Sequence, residues 1–265
     1  MVTINNEKIE LCYEKAEKLI SSCKYSEAIE TLNEVLKIYP SNTKFRKLKE
    51  AALPGYKLDF YKNLQSLNID YLYYFSHLNN LESILRNGIL SKNEVEKINL
   101  KYTSFAEETV QNRRHDIKIG LPDGSIGNLH DFVPLYFTSK TPTLYSRKDL
   151  QNNIFFLVIK SDIVLDDRIR FIFTDGNAAS SFTTFHSNTD KLSEIPMEVI
   201  NAKYWTVFTD GRRSRNAEML IYPNIPAGRF EKIIIKNEDA KKFINEVISR
   251  LKINIKIECQ PSCFF

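Results

Sequence analysis

The hydrophobic periodicity of this chain changes character once, near Tyr71, and that change restricts the fold more than any other feature. Before it, apolar residues recur at helical spacing: Ala16, Leu19, Ile20 and Cys23, then Tyr25, Ala28, Ile29, Leu32, Val35 and Leu36. After it, short apolar or aromatic runs read as strands, at residues 71–75, 132–137, 154–159, 168–173, 204–208, 217–222, 232–236 and 253–258. A helix over 79–87, closed by Gly88, and a second over 238–251 interrupt the strands. Strands dominate and the helices gather early and late, so the expected class is α+β and not a doubly wound parallel sheet. No glycine-rich dinucleotide fingerprint follows any strand, so a dinucleotide site here would have to be of another kind.

The early helices have an internal logic. Residues 9–42 match one tetratricopeptide-like unit of about 34 residues, with Ala16 as the small residue of its first helix, Tyr25 opening the second, Ala28 at the close-packing position and Pro40 as terminator. One such unit cannot bury both its faces, so a third helix is expected over 43–52 to cap it. Pro54-Gly55 then reads as a boundary, with a lead-in helix over 58–67. The expected organisation is a helical domain over 1–55 and a larger domain over 56–265. The first could dock a protein partner, regulate, or only pack as an extension.

Composition bounds the setting. With 43% hydrophobic and 26% charged residues the chain has the make-up of a folded globular protein. No run approaches the roughly 20 apolar residues of a membrane span. Met1–Asn6 lacks the basic-then-apolar layout of a leader. Cys12, Cys23, Cys259 and Cys263 have no zinc spacing with histidine partners, so reduced thiols, a cytoplasmic location and no metal are expected. A net charge of +4 permits a nucleic-acid partner without requiring one.

Several side chains invite chemistry. His77 lies at the exit of an aromatic strand, in Ser76-His77-Leu78-Asn79-Asn80, where it could hydrogen-bond a polar ligand or simply cap the next helix; by itself the pattern favours the cap. His130 and His186 are weaker candidates, and His115 reads as surface. Arg113-Arg114 and Arg212-Arg213-Ser214-Arg215 are two basic foci that could hold a pyrophosphate or a nucleic-acid backbone, or form a solvated face. Just after the second, Glu218 stands at the mouth of an apolar strand, as an edge residue or a catalytic acid; pattern alone favours the edge. Pro134 demotes the 132–137 run to an edge strand or a strand start. Its rings, Tyr136 and Phe137 among them, read as core, or as a surface for stacking a planar ligand. Asp175-Gly176-Asn177-Ala178 has turn composition.

Taken in order, these blocks resemble the DarT family of DNA ADP-ribosyltransferases. The likeness runs from Phe75-Ser76-His77-Leu78-Asn79-Asn80 and the helix ending in Gly88, through Asn112-Arg113-Arg114, His130-Asp131-Phe132-Val133-Pro134-Leu135-Tyr136-Phe137 and Thr141-Pro142-Thr143-Leu144-Tyr145. It continues through Asp175-Gly176-Asn177-Ala178 and the arginines before Ala217-Glu218 to the aromatic ending Phe264-Phe265, and covers about residues 70–265. The resemblance implies an ADP-ribosyltransferase fold with a split, antiparallel or mixed sheet. It implies NAD as co-substrate, held by Ser76, His77, Asn80, Gly88, Arg113, Arg114, Tyr136 and Phe137. Glu218 would be the catalytic acid, assisted by Arg114, which would orient the phosphates and contact the reacting ribose. Arg212, Arg213, Arg215, Tyr145 and Asn177 would contact a single strand of DNA, and the modified base would be thymine or, as a known variation, guanine. RNA or protein as the target, or a binding module without turnover, are the competing readings. A macrodomain antitoxin is the partner the family implies. Ser76 in place of threonine, Leu135 in place of phenylalanine, Thr138-Ser139-Lys140 in place of an arginine-rich segment and the added N-terminal helices are departures from the family pattern.

Overall fold

The computed structural model describes residues 6–104, 106–120 and 126–265; most of the leader expectation, at residues 1–5, therefore lies outside the described residues. Helices α1 (Asn6–Ser21) and α2 (Tyr25–Ile38) form an antiparallel pair that closes on Ala16, Leu32, Val35 and Phe45. Helix α3 (Thr43–Ser66) caps it, begun by the Asn42 side chain, which accepts from the Lys44 and Phe45 amides.

The expected break at Pro54-Gly55 is absent. One helix of 24 residues runs through both. Pro54 lies on the exposed face, where water can satisfy the carbonyl its missing N–H leaves free. Gly55 is small because the Tyr25 ring lies on it; a Cβ there would come within 2.4 Å of that ring. The dipeptide is thus a helix-packing site, and the second half of α3 belongs to the main body. Tyr56 and Phe60 pack on Phe171, with ring centroids 6.0 and 4.5 Å apart, and Phe60 also meets Phe173. Burying such rings contributes roughly 1.5–3 kcal/mol each. Lys57 is buried alongside them and donates to the carbonyls of Asp166 and Ile169 at 2.6 and 3.0 Å. Further out, Arg170 pairs with Glu50.

The main sheet has eight strands: β1 (Tyr71–His77), β2 (Val133–Tyr136), β3 (Ile154–Lys160), β4 (Arg170–Thr174), β5 (Phe185–His186), β6 (Glu218–Tyr222), β7 (Phe230–Ile235) and β8 (Lys256–Cys259). Their spatial order is β8-β7-β3-β1-β2-β6-β4-β5. All neighbours are antiparallel except β7 and β8, whose parallel pairing is made by the crossover helix Glu238–Leu251. The sheet is therefore mixed. It is also split: β1 and β2 meet at the single pair Tyr73↔Tyr136, whereas β1 and β3 pair over seven residues. Pro134 belongs to an interior strand and not to an edge, and the split resolves the conflict, because a strand that barely pairs with β1 needs few donors on that side. The 204–208 run is a further departure. It forms no strand but a short 3-10 turn, Trp205–Val207, and Tyr204 and Val207 are exposed.

Candidate active site

The split opens a cavity of about 230 Å³, lined in part by Tyr74, Phe75, Ser76, Asn80, Gly88, Tyr102, Thr103, Arg114, His130 and Pro134. One wall is the exit of β1. Ser76 points inward, and the His77 Nδ1 accepts from the Asn79 amide at 3.1 Å, starting the turn Leu78–Asn80. The capping role of His77 is therefore realised, with its Nδ1 committed. Asn80 is fully occupied. Its amide nitrogen donates to Ser76 Oγ and the Thr103 carbonyl at 3.0 and 2.9 Å, and its oxygen accepts from the Thr103 amide at 2.7 Å. It ties Thr103, another lining residue, to the exit of β1. Gly88 ends the helix Leu81–Asn87 at φ 81° with its Cα against the Ile225 carbonyl, a position only glycine fills without strain.

The opposite wall comes from the helix Glu108–Asp116. Apart from Val110 it is polar, so its sequence does not announce a buried face. Arg114 turns inward at 9% exposure, while Arg113 and His115 stay exposed. Arg114 Nη1 lies 3.3 and 3.1 Å from the two carboxylate oxygens of Glu218, and its Nη2 is buried with no partner.

Glu218, the first residue of β6, is 1% exposed. Its backbone amide donates to Thr174 Oγ1 at 2.9 Å, and that hydroxyl donates to the Gly176 carbonyl at 2.7 Å. The Ala178 amide reaches Glu218 Oε1 at 3.3 Å. Thus the turn Asp175-Gly176-Asn177-Ala178 fixes the carboxylate instead of merely linking strands. Tyr136 sits directly across the ladder from Glu218 and stacks on Phe75 at 5.7 Å. Burial pushes its hydroxyl well above the ordinary tyrosine range.

His130 was the weaker candidate by sequence, yet it lines the cavity. Asn128 and Asp131 form reciprocal caps around the turn Leu129–Asp131: the Asn128 oxygen accepts from the His130 amide, and Asp131 accepts from the Asn128 amide, each at 2.8 Å. The ring is 5% exposed, its Nε2 has no partner, and burial, aided by Lys92 and Arg114, lowers its pKa to about 4. It is held neutral beside a cationic guanidinium. The Asn-x-x-Asp spacing flanking it is the signal that could have singled it out.

Other expected residues divide. Phe137 is buried in the main core and does not line the cavity. Arg215 is 5% exposed and donates to the carbonyls of Lys140, Val199 and Ala202, so it is a structural brace with no face for DNA. Arg213 is paired with Asp175 and Asp210 and cross-links their loops. Asn177 caps locally, accepting from the Ala179 amide. Arg212 and Tyr145 are exposed. His186 lies in β5. No cluster of three or more metal-ligating side chains occurs among the described residues, and no described helix is long and apolar enough to cross a membrane.

The cavity suits an anionic, polar ligand. Arg114 and His130, each with a buried nitrogen that has no partner, line it together with the Ser76 hydroxyl and aromatic walls; Glu218 is not itself in the lining and is joined to it through Arg114. The chain is also similar to known proteins. A DNA ADP-ribosyl transferase of Thermus sp. (strain 2.9) is 29% identical over 187 residues, which is 68% of this chain and 87% of that protein. A transferase–glycohydrolase fusion protein of Thermosipho africanus is 28% identical over 202 residues, 73% of this chain and 49% of that protein. The solved structure of Thermus sp. 2.9 DarT in complex with ADP-ribosylated ssDNA superposes with a TM-score of 0.68 at 25% identity, covering 75% of this chain and 97% of that one. The same protein in complex with NAD+ gives a TM-score of 0.62 at 23% identity, covering 74% and 98%, a likeness of fold. The family model described as ssDNA thymidine ADP-ribosyltransferase, DarT, matches residues 73–265, and the chain therefore belongs to the DarT family of NAD-dependent DNA ADP-ribosyltransferases.

Proposed function

We propose that the cavity between β1 and β2 binds NAD and that Glu218 and Arg114 carry the transfer of ADP-ribose to thymine in single-stranded DNA. The observation that carries this reading is the buried Arg114–Glu218 pair, with Arg114 in the cavity lining and one of its guanidinium nitrogens left unpartnered. NAD supplies the ADP-ribose, and positive charge develops on its ribose as the nicotinamide bond breaks. The Glu218 carboxylate, aimed by the Ala178 amide, is placed to stabilise that charge and to accept the proton of the base nitrogen. Arg114 Nη2 and the exposed Arg113 suit the phosphates, and Ser76 with His77 suits the ribose and amide. His130 adds a neutral imidazole beside Arg114. Asn80 and Gly88, both in the cavity lining, hold its walls in place and border the ligand. A base must be unstacked to reach a buried carboxylate, which favours single strands. Of the arginines before Glu218, Arg212 is the one assigned to DNA phosphates, and guanine is the alternative base.

In the same reading the helices before residue 56 are an appended module joined to the catalytic body through α3. Free cysteines suit a cytoplasmic enzyme. The transferase–glycohydrolase fusion of the Thermosipho africanus relative supports a glycohydrolase antitoxin as partner. The test offers DNA, RNA and lysate protein side by side with NAD. The reading requires a mass gain of one ADP-ribose on single-stranded DNA. Labelling confined to RNA or protein would replace the acceptor, and no labelling of any of them would refute the activity.

A further inference from the structure

Three aromatic rings lie outside the cavity. Tyr145, Trp205 and Phe265 come from three separate parts of the chain and meet pairwise with centroids 5.1–5.8 Å apart and ring planes 72–88° apart, like the walls of a corner. Tyr145 is 48% exposed, and Trp205 and Phe265 are partly so. The exposed Tyr204 and Val207 extend the apolar strip.

The corner is held from behind. The fully buried Gln151 donates to the Leu144 carbonyl at 3.2 Å and accepts from the Phe265 amide at 2.8 Å, fixing Tyr145 beside Phe265. Lys236 Nζ donates to the Phe265 carbonyl. Trp205 is set by the backbone at Gly211, whose Cα packs so closely on the Trp205 carbonyl that a Cβ would lie 1.8 Å from it.

The corner is also joined to the catalytic strand. Asn216, two residues before Glu218, accepts from both the amide and the hydroxyl of Thr143 at 3.2 and 2.8 Å, and its side-chain nitrogen donates to the Arg212 carbonyl at 2.9 Å. Cations lie beside it: Lys140 Nζ is 5.4 Å from the Phe265 ring and Lys203 Nζ 5.2 Å from the adjoining Tyr204 ring, and the exposed Arg212 is joined to Thr143 through Asn216.

We infer that Tyr145, Trp205 and Phe265 form a stacking platform for a base that flanks the target nucleotide in a single strand of DNA, with Lys140 and Arg212 on its phosphates. This rests on the DNA-modifying reading above. A buried aromatic trio would need no further explanation. An exposed one, rigidly backed, with lysines beside it and tied through Asn216 to the segment that leads into Glu218, has the chemistry that single-strand sites combine: π faces for bases and positive charge for the backbone.

Trp205 is the chain's single tryptophan, so its emission reports on the platform alone. The full chain is titrated without NAD, using oligo(dT), its duplex with oligo(dA), and oligo(U). The expected result is saturable quenching by the single DNA strand and little by the duplex. Tyr145→Ala, which keeps the reporter, should shift the oligo(dT) midpoint by about tenfold, within the range for losing one stacked base. Trp205→Ala should weaken binding of a labelled strand comparably, and Trp205→Phe should restore most of it. Thermal unfolding of each variant checks that the fold is kept. The proposal is overturned if labelled oligo(dT) binds while Trp205 emission stays unmoved, if Tyr145→Ala and Trp205→Ala bind as the parent does, or if oligo(U) quenches at lower concentration than oligo(dT). Failure of the DNA-modifying reading looks different: quenching by oligo(dT) with no ADP-ribose transferred when NAD is added.

Discussion

Replacing Glu218 by glutamine isolates what the carboxylate charge contributes, because shape and hydrogen-bonding reach are nearly preserved. The Arg114 Nη1 contacts at 3.3 and 3.1 Å correspond to about 5 kcal/mol of Coulomb attraction at an effective dielectric of about 20, before the desolvation that offsets it. Both side chains are buried, at 11% and 2% exposure, so screening is weak. Neutralising one partner leaves a guanidinium with no counter-ion and should cost about 3 kcal/mol of stability, seen as a lower Tm. Losing a pre-aligned charge at the point where ribose charge develops should lower the rate of ADP-ribosylation about 100- to 1000-fold. A second variant separates the two effects. In Arg114→Met/Glu218→Gln the unpaired charge is gone, so stability should return toward the parent while activity does not. The assays are calorimetric unfolding and mass-detected transfer to single-stranded DNA. Glu218→Gln within a few-fold of parental activity would refute the catalytic assignment, and recovery of activity together with stability in the double variant would show that the pair is only structural.

Acid should destabilise the protein through His130. Its folded pKa of about 4 lies below the ordinary 6.5, so its contribution is complete above pH 6.5 and is lost as the pH falls toward 4, by up to about 3 kcal/mol; His130→Gln should flatten the Tm profile across that window. Arg215→Ala and Arg212→Ala should behave oppositely. The first leaves three buried or part-buried carbonyl acceptors short of a donor and lowers Tm. The second leaves Tm alone but weakens DNA binding and reduces its log-log salt slope by about one, and equal Tm losses would contradict the division. Gly88→Ala should destabilise by at least about 1 kcal/mol, since it combines a φ of 81° with a Cβ 2.3 Å from the Ile225 carbonyl; an unchanged denaturant midpoint would show that the helix end can relax.

Sequence by itself determined the class and most of the long elements, though not the turn at 205–207 or the unbroken helix 43–66. Local periodicity suffices for that, because a helix or strand shows its buried face at short range: helix 238–251 and strands at 154–160 and 218–222 fall where their apolar patterns place them. It also singled out Glu218 and the Arg113-Arg114 pair as candidates, through the order of the motif blocks rather than through any one of them. Other features exist only in three dimensions. Pro54-Gly55 has the composition of a linker, and only the Tyr25 ring lying on Gly55 shows why it is a helix interior. Arg212, Arg213 and Arg215 are alike as residues; burial against carbonyls, pairing with aspartates and solvent exposure give them three different tasks. The polar helix Glu108–Asp116 has no apolar stripe to say which side faces inward, so Arg114 rather than Arg113 is chosen by where the strands part. Likewise His130 becomes a cavity residue, and Tyr145, Trp205 and Phe265 become neighbours, through contacts between segments far apart in the chain. Periodicity carries no information about such distances, and packing decides them.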